Sequence, residues 1–308
     1  MNGPIFAALD CGTNSTRLLV ETGDGEVLAR EMTITRLGQG VDATGALHPD
    51  ALERTLAALQ SYRVIMDRFG VTRGRLAATS AARDASNGPA FLASASAITG
   101  VAAEILSGEE EGTLSFTGAM VGLDPVDGDN LVLDIGGGSS EIVLMRDGMS
   151  SAHSMQVGCV RVSERTLASD PPTVDEQADA LAMANAALDR AIVEIPGLSE
   201  LRPSSRLVAL AGTVATLAMV DQELHDYDRD RVHHYWLTLD AIRHWRDTLA
   251  GESSADRASR PGMVPGREDV IVGGLIVLAA TLERLGLDGC LTSESDILDG
   301  MVASLRNQ

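Results

Sequence analysis

Two short segments of this 308-residue chain carry the same pattern of aspartate, glycine and serine. They are Asp10 to Arg17 (DCGTNSTR) and Asp134 to Glu141 (DIGGGSSE), and each lies between two apolar runs. An apolar run, a turn of glycine and hydroxyl residues, and a second apolar run predict two strands joined by a tight loop. The backbone N–H groups of such a loop can bind phosphate. The repetition therefore predicts a duplicated fold in which two loops bind one phosphorylated ligand.

The rest of the chain repeats as well. Alternating and helical spacings of apolar residues predict the order βββαβαβα, once before and once after a turn-rich segment at 123–129. We therefore predict an α/β protein of two ribonuclease-H-like (actin-like ATPase) domains, covering residues 1–125 and 126–308, with the active-site cleft between them. The second domain is predicted to carry a helical insertion at about 225–286.

Composition excludes several classes of protein. The net charge of −20 argues against a general binder of nucleic acid or of anionic membranes. All 24 basic residues are arginine, so the lysine of a P-loop NTPase and that of a Schiff-base enzyme are both lacking. No apolar run approaches the ~20 residues that span a bilayer, and no basic stretch before an apolar region suggests a signal peptide. Three widely separated cysteines indicate free thiols and a cytoplasmic protein.

The two glycine loops supply candidate ligands of two kinds. Carboxylates are the ligands that Mg²⁺ prefers when it also binds phosphate, so we expect Mg²⁺, with Mn²⁺ as the alternative, at Asp10, Asp134 and Glu141. Backbone amides, hydroxyls and a guanidinium are expected to bind phosphate oxygens. These candidates are Gly12, Thr13, Asn14, Ser15 and Arg17 in the first loop, and Gly136, Gly137, Gly138 and Ser139 in the second.

Two strand–helix junctions add further phosphate-binding candidates. Arg83 ends the run ATSAAR (78–83) and lies in the first turn of the predicted helix. A cation at that position opposes the helix dipole, so a functional partner for Arg83 is favoured. Gly212 and Thr213 lie at the corresponding junction of the second half.

Two other segments are ambiguous. The arginines of GCVRVSER (158–165) either contact polyphosphate or form a solvated helix face. The histidines at 225, 233 and 234 lack the spacing of a metal site, and a surface loop is preferred there.

The run Ser107-Gly108-Glu109-Glu110-Glu111 joins a strand to a helix. Acidic residues are favoured in the first turn of any helix, because they complement its dipole. A glutamate that faces the cleft would instead act as a general base on water.

Taken together, these motifs resemble those of the exopolyphosphatase / guanosine pentaphosphate phosphatase family over nearly the whole length. The resemblance rests on DCGTNSTRLLV (10–20), RLGQG (36–40), ATSAARDASN (78–87), SGEEEGTL (107–114), LVLDIGGGSSEIVL (131–144), VGCVRVSER (157–165), ALAGTVATLA (209–218), REDVIVGGLIVL (267–278) and SESDILDGM (293–301). It implies metal-dependent hydrolysis of the terminal phosphoanhydride of inorganic polyphosphate. The family pattern assigns the catalytic glutamate to Glu111, with Glu110 as the alternative, although Gly112-Thr113 replaces the family's Ala-Arg.

The resemblance leaves the substrate open. Guanosine pentaphosphate also ends in a phosphoanhydride, so a guanosine pentaphosphate 5′-phosphatase linked to the stringent response is the nearest alternative. A small-molecule kinase of the same superfamily and a non-catalytic actin-like protein are more remote, because SGEEE supplies a base for water. The family further implies a homodimer.

Overall fold

The computed structural model describes residues 3–306 and divides them into two units. Residues 1, 2, 307 and 308 of the predicted domains lie outside the described residues. The first unit comprises residues 3–118 and 296–306. Its five-stranded sheet has the order β3-β2-β1-β4-β5, formed by β1 (Ile5–Cys11), β2 (Ser15–Thr22), β3 (Val27–Ile34), β4 (Arg73–Ala78) and β5 (Ala103–Ile105). Its helices are α1 (Val41–Thr44), α2 (Pro49–Phe69), α3 (Ser80–Asp84), α4 (Gly88–Thr99), α5 (Gly108–Ala119) and, from the end of the chain, α13 (Ile297–Arg306).

The second unit, residues 119–295, contains a six-stranded sheet of order β10-β11-β9-β6-β7-β8. Its strands are β6 (Asn130–Ile135), β7 (Ser140–Arg146), β8 (Met149–Met155), β9 (Arg206–Leu210), β10 (Trp236–Thr238) and β11 (Gly289–Ser293). Its helices are α6 (Cys159–Thr166), α7 (Val174–Glu194), α8 (Gly212–Asp221), α9 (Arg229–Val232), α10 (Leu239–Ala250), α11 (Ser254–Ala258) and α12 (Ile271–Leu285). Apart from β10 at the edge, this strand order repeats that of the first sheet, which confirms the predicted duplication.

Local sequence signals explain where the long helices begin and end. Helix α2 starts with Pro49, whose fixed φ suits the first helical position, and stops at Gly70, whose φ of 66° favours glycine. In α7, the Thr173 side chain accepts the N–H of Glu176 and the Glu176 side chain accepts the N–H of Thr173. No helix among residues 3–306 is long and apolar enough to cross a membrane.

The last helix of the chain belongs to the first unit, which corrects the predicted division at residue 125. Helix α13 buries Ile297, Leu298, Met301, Val302 and Leu305. These side chains form one cluster with residues on one face of the first sheet, namely Phe6, Ala8, Leu19 and Ala77, together with Leu106. An amphipathic pattern predicts that one face of a helix is buried, but it does not indicate which sheet covers that face. The sequence alone could therefore not assign α13 to a unit.

The segment predicted as a surface loop around residues 225–236 also differs. It contains the short helix α9, and the strand β10 begins at its last residue, Trp236. Strand β10 pairs antiparallel with β11 at Leu237 and Cys290. Three residues are too few to show strand alternation, so the sequence gives no signal for β10.

Candidate active site

The predicted catalytic motifs of the first unit lie at one edge of its sheet. Strands β1, β4 and β5 are parallel, with Cys11 opposite Ala78 and Ala78 opposite Ile105. The segments that follow these three strands therefore emerge side by side, at the carboxyl edge where open α/β sheets bind ligands. These segments are the first glycine loop, Thr79 to Arg83, and Ser107 to Glu111.

Glu111 lies beside a fixed cation at this edge. Its side chain is buried, and Arg83 donates from one guanidinium nitrogen to Glu111 Oε2 at 3.3 Å and to the Leu106 carbonyl at 2.9 Å. The Leu106 bond holds the guanidinium against the end of β5. The structure therefore brings together two residues that were predicted separately, one as a base and one as a phosphate ligand.

Glu110 has a different, structural position. Its carboxylate accepts hydrogen bonds from the N–H and the hydroxyl of Ser107, each at 3.2 Å, and its own N–H donates to the Ser107 hydroxyl. This reciprocal arrangement is a capping box that closes the first turn of α5. Glu110 is exposed, in contrast to Glu111.

The first glycine loop contains a charge network that the sequence did not predict. Asp10 Oδ2 accepts hydrogen bonds from Arg17 at 3.0 and 2.6 Å, and Arg17 also donates to Asp296, just before α13. Burial raises the pKa of Asp10, and the Arg17 charge opposes that rise. Arg17, predicted as a phosphate ligand, is thus already held by two carboxylates.

Two buried polar atoms of this loop lack a partner. Asp10 Oδ1 and Asn14 Nδ2 have no hydrogen-bond partner among residues 3–306. An unsatisfied buried polar atom is costly, so such atoms commonly mark the position of a ligand or an ion. The turn itself is closed by the Gly12 N–H, which donates to the Ser15 carbonyl at 3.0 Å, and Thr13 is buried beside it.

In the second unit, two predicted metal ligands face each other. Asp134 on β6 lies directly opposite Glu141 on β7, and both side chains are buried. Residues opposite each other in an antiparallel pair project from the same face, so the two carboxylates share one face of the sheet. Ser154 on β8 donates to Glu141 Oε1 at 2.7 Å and so fixes that carboxylate.

The second glycine loop and the Gly212 junction meet the same carboxyl edge. Strands β6 and β9 are parallel with Asp134 opposite Leu210. The loop residues Gly136 to Ser139 follow β6, and Gly212 and Thr213 begin α8 immediately after β9. Between them Ala211 adopts φ 75° and ψ −178°, a region that is essentially reserved for glycine. Such strain persists only where the surrounding structure imposes it.

The candidate metal ligands fit a hard cation but do not form a complete site by themselves. Within the described part of the chain, no three His, Cys, Asp or Glu side chains are grouped so as to hold a metal ion. Two buried carboxylates side by side repel each other, and a divalent cation would relieve that repulsion. Mg²⁺ keeps several waters and needs few protein carboxylates, so Asp134 and Glu141 suit it.

Two of the histidines that lack metal-site spacing contact each other. The rings of His233 and His234 stack, with their centroids 3.7 Å apart.

Residues 19–307 match the model of the Ppx/GppA phosphatase family. The chain belongs to this family.

Relatives with established names agree with this assignment. The chain is 41% identical to exopolyphosphatase 2 of Mycobacterium tuberculosis over 97% of its own length and 98% of that protein. An exopolyphosphatase-like protein of known structure superposes with a TM-score of 0.93 at 32% identity, covering 98% of this chain and 99% of the other. The guanosine-5′-triphosphate,3′-diphosphate pyrophosphatase of Vibrio cholerae is 26% identical over 98% of this chain, which spans 59% of that longer protein.

Two residues of this Ppx/GppA chain were missed because their motifs had no assigned role. Asp296, in SESDILDGM, binds Arg17. Arg267, in REDVIVGG, is buried against Gly212, where an added Cβ would lie only 1.9 Å from a guanidinium nitrogen. Both are charged residues just before an apolar helical segment, which was the available signal.

The two arginines of α6 differ in exposure, since Arg165 is exposed to solvent and Arg161 is not. Arg161 is buried and donates to Gln156 Oε1 at 2.6 Å. Contact between these arginines and polyphosphate stays a prediction.

Proposed function

We propose that this phosphatase is an exopolyphosphatase that hydrolyses the terminal phosphoanhydride of inorganic polyphosphate, with Glu111 as the general base. The observation that carries the proposal is the pairing of buried Glu111 with Arg83 at the carboxyl edge of the first sheet. The 41% identity to a mycobacterial exopolyphosphatase over nearly both full lengths supports this substrate.

In the proposed reaction, Glu111 takes a proton from a water molecule whose oxygen attacks the terminal phosphorus. A new P–O bond forms to the water oxygen while the bridging P–O bond breaks. Orthophosphate is released, and the chain is shortened by one phosphate. Arg83 holds the Glu111 carboxylate in one orientation, and backbone amides of the glycine loops donate to the phosphate oxygens as negative charge builds on them.

We propose that Asp134 and Glu141 hold Mg²⁺. When bound, the metal would neutralise charge on phosphate oxygens and orient the chain. The buried, opposed carboxylates of Asp134 and Glu141 support this assignment. In the first unit, the Oδ1 atom of Asp10, which has no hydrogen-bond partner among the described residues, supports Asp10 as a further candidate ligand.

The decisive experiment compares Glu111→Gln with Glu110→Gln in phosphate release from polyphosphate. Loss of a positioned general base costs roughly 10²–10⁴ in rate, so Glu111→Gln should lose turnover by that factor. Glu110→Gln should keep its turnover and lose only part of the capping box, worth about 1 kcal/mol of stability. The reverse order of the two effects would move the base to Glu110, and normal turnover in both would reject the mechanism.

The proposal also requires that residues of both units act on the same phosphate chain. A double-mutant cycle between Glu111→Gln and Glu141→Gln tests this requirement. When two residues serve one reaction, the double variant loses much less turnover than the product of the two single-variant losses predicts. Fully multiplicative losses would contradict the proposal.

The nearest alternative is a guanosine pentaphosphate 5′-phosphatase, which the Vibrio cholerae relative favours at lower identity. Release of orthophosphate from polyphosphates of several lengths and from guanosine pentaphosphate, measured side by side, separates the two. We expect a higher kcat/KM for polyphosphate. Preference for the nucleotide would place the chain in the stringent response.

We also propose a reducing, cytoplasmic environment. All three cysteines, Cys11, Cys159 and Cys290, are buried free thiols. Fractionation of the native cell tests this location.

We further propose that the chain forms a homodimer, which sedimentation of the purified chain tests.

A further inference from the structure

The second glycine loop is held from one side by the start of helix α6. The Cys159 N–H donates to the Gly136 carbonyl at 2.9 Å. The next two N–H groups, of Val160 and Arg161, both donate to the Gly137 carbonyl, at 2.9 and 3.0 Å. The first turn of a helix has N–H groups without intrahelical acceptors, and here the loop provides those acceptors.

These bonds fix the direction of two peptide planes. In a planar trans peptide, the carbonyl of one residue and the N–H of the next point in opposite directions. Because the carbonyls of Gly136 and Gly137 point toward α6, the N–H groups of Gly137 and Gly138 point away from it. The side of the loop that can donate to a phosphate is therefore determined by α6.

Close packing at Gly158 makes this arrangement possible. A Cβ added to Gly158 would lie 2.5 Å from the Gly137 carbonyl carbon and oxygen, and 2.6 Å from the Gly136 oxygen. Gly158 has an extended backbone, with φ −139° and ψ 169°, so conformational freedom does not require glycine here. The requirement is the space between the helix start and the loop.

The first glycine loop is held in the same way by a segment of different structure. The Gly38 N–H donates to the Thr13 carbonyl at 2.8 Å, and the N–H groups of Thr35 and Arg36 donate to the Asn14 carbonyl at 3.1 and 2.9 Å. A Cβ on Gly38 would lie 2.2 Å from Thr13 Cγ2. The motif RLGQG, which had no role in the sequence analysis, thus does for the first loop what α6 does for the second.

We infer that Gly158 and Gly38 are positioning residues that orient the peptide N–H groups of the two phosphate loops toward the substrate. The inference rests on the proposed function for the identity of the ligand. Neither glycine touches the phosphate chain; each acts through the loop against which it packs. The same device built from a helix in one unit and from a turn in the other indicates that loop orientation is the shared requirement.

The test measures binding without turnover. Tripolyphosphate with Mg²⁺ is titrated calorimetrically into Glu111→Gln and into Glu111→Gln carrying Gly158→Ala. The added Cβ forces the Gly136 and Gly137 carbonyls to move, so the N–H groups of Gly137 and Gly138 turn away from the phosphate. Hydrogen bonds to charged acceptors such as phosphate are strong, so their loss should weaken binding markedly. We expect the affinity to fall by about tenfold to hundredfold. Unchanged affinity in the folded variant overturns the inference.

A second pair of variants breaks the bond between α6 and the loop from the helix side. Cys159→Pro removes the donor to Gly136 and sets the ring Cδ against the Gly136 carbonyl, so that this carbonyl must turn away. Proline is tolerated at the first helical position, and the extended Gly158 suits the residue before proline. Cys159→Ala keeps the N–H and removes only the thiol. We expect loss of affinity in Cys159→Pro and retention in Cys159→Ala; equal affinities would overturn the inference even if Gly158→Ala does not fold.

Two controls separate positioning from general destabilisation. Val162→Ala opens the buried core under α6 and keeps every backbone N–H that donates to the loop. If it weakens binding as much as Gly158→Ala at similar thermal stability, the glycine has only a structural role. In the other unit, Gly38→Ala should weaken binding and Gly38→Ala with Thr13→Ser should recover part of it, because serine lacks the clashing Cγ2; no recovery contradicts the assignment of Gly38.

Failure of the inference and failure of the proposed function give different results. A wild-type chain that binds and hydrolyses polyphosphate, with unchanged affinity in both glycine variants, rejects the inference alone. A wild-type chain that neither binds nor hydrolyses it rejects the proposed function and, with it, the ligand on which the inference relies.

Discussion

At the scale of single residues, burial separates charges that look alike in the sequence. Glu110 and Glu111 are neighbours, yet one closes a helix cap and the other faces Arg83. Asp129 shows the same effect away from the proposed site. It precedes β6, is fully buried, and accepts hydrogen bonds from Arg146 at 2.8 and 2.6 Å and from the Arg202 N–H at 2.9 Å.

The Arg146 hydrogen bonds lower the pKa of Asp129 to about 2. Because the folded pKa lies below the unfolded one, this carboxylate adds roughly 2 kcal/mol of stability above about pH 4, and the gain disappears as the pH falls through about 2. Asp129→Asn should therefore lower the free energy of unfolding at pH 7 by about 2–4 kcal/mol and flatten its decline in acid. Denaturant unfolding at several pH values checks both effects.

Asp147→Asn is the matched control for that experiment. Asp147 pairs with Arg202 on the surface, with its side chain 60% exposed. Exposed ion pairs contribute about 0–1 kcal/mol, so this variant should unfold almost as the wild type does. Equal losses in the two variants would contradict the role of burial.

At the scale of elements, small residues set how closely helices approach the proposed site. Gly274 on α12 faces Thr213 at the start of α8, and Gly273 faces Ser163 on α6. Helix α12 therefore contacts both α6, which donates hydrogen bonds to the second glycine loop, and α8, which begins with the candidate residues Gly212 and Thr213. In the sequence, the pair Gly273-Gly274 indicates only weak helix propensity.

Gly274→Ala should destabilise the chain although alanine is the better helix former. Its Cβ would lie 2.3 Å from Thr213 Oγ1 and 2.6 Å from Thr213 Cγ2. Overpacking costs about 1–3 kcal/mol and helix propensity returns up to about 1 kcal/mol, so we expect a net loss of about 1–2 kcal/mol. Gly251→Ala, whose Cβ would meet the Thr248 carbonyl at an ordinary 3.4 Å, should change the free energy of unfolding by less than about 0.5 kcal/mol. A loss in Gly251→Ala equal to that in Gly274→Ala would refute this packing argument.

Periodicity and repeated motifs were sufficient to predict local structure. Helix α2 carries its start and stop signals in its own sequence, and the two glycine loops were placed at strand ends. Contacts between distant residues could not be predicted. Arg17 is 279 positions from Asp296, and no local pattern links them. The different environments of Glu110 and Glu111 could not be predicted either, because only the fold shows which of the two is buried.

At the scale of the whole molecule, the chain is divided into two units that are not two consecutive halves. The first unit needs α13, which provides Met301 and Leu305 to the cluster around Phe6. A division by sequence repeat alone misses this exchange, because the repeat describes the order of elements and not their packing partners.

Met301→Ala should therefore weaken the first unit although residue 301 is close to the end of the chain. Met301 is fully buried, and truncation of such a side chain to alanine costs about 2–5 kcal/mol. Amides of β1 and β4 should exchange hydrogen faster in this variant, whereas those of β6 and β9 should keep wild-type rates. Val193→Ala, at a position 81% exposed, serves as the control and should change neither set. Faster exchange in β6 and β9 alone would show that α13 supports the other unit.

The place of α13 also determines the order in which the protein is completed during synthesis. Phe6 and Ala8 leave the ribosome before the second unit does, and the helix that covers them leaves after it. Domains generally fold as units while the chain emerges. The second unit has all of its residues by position 295, whereas the first must wait, with one face of its sheet uncovered, until α13 arrives. The segment that carries Glu111 and Arg83 is thus translated before the second unit, although the unit to which it belongs is completed after it.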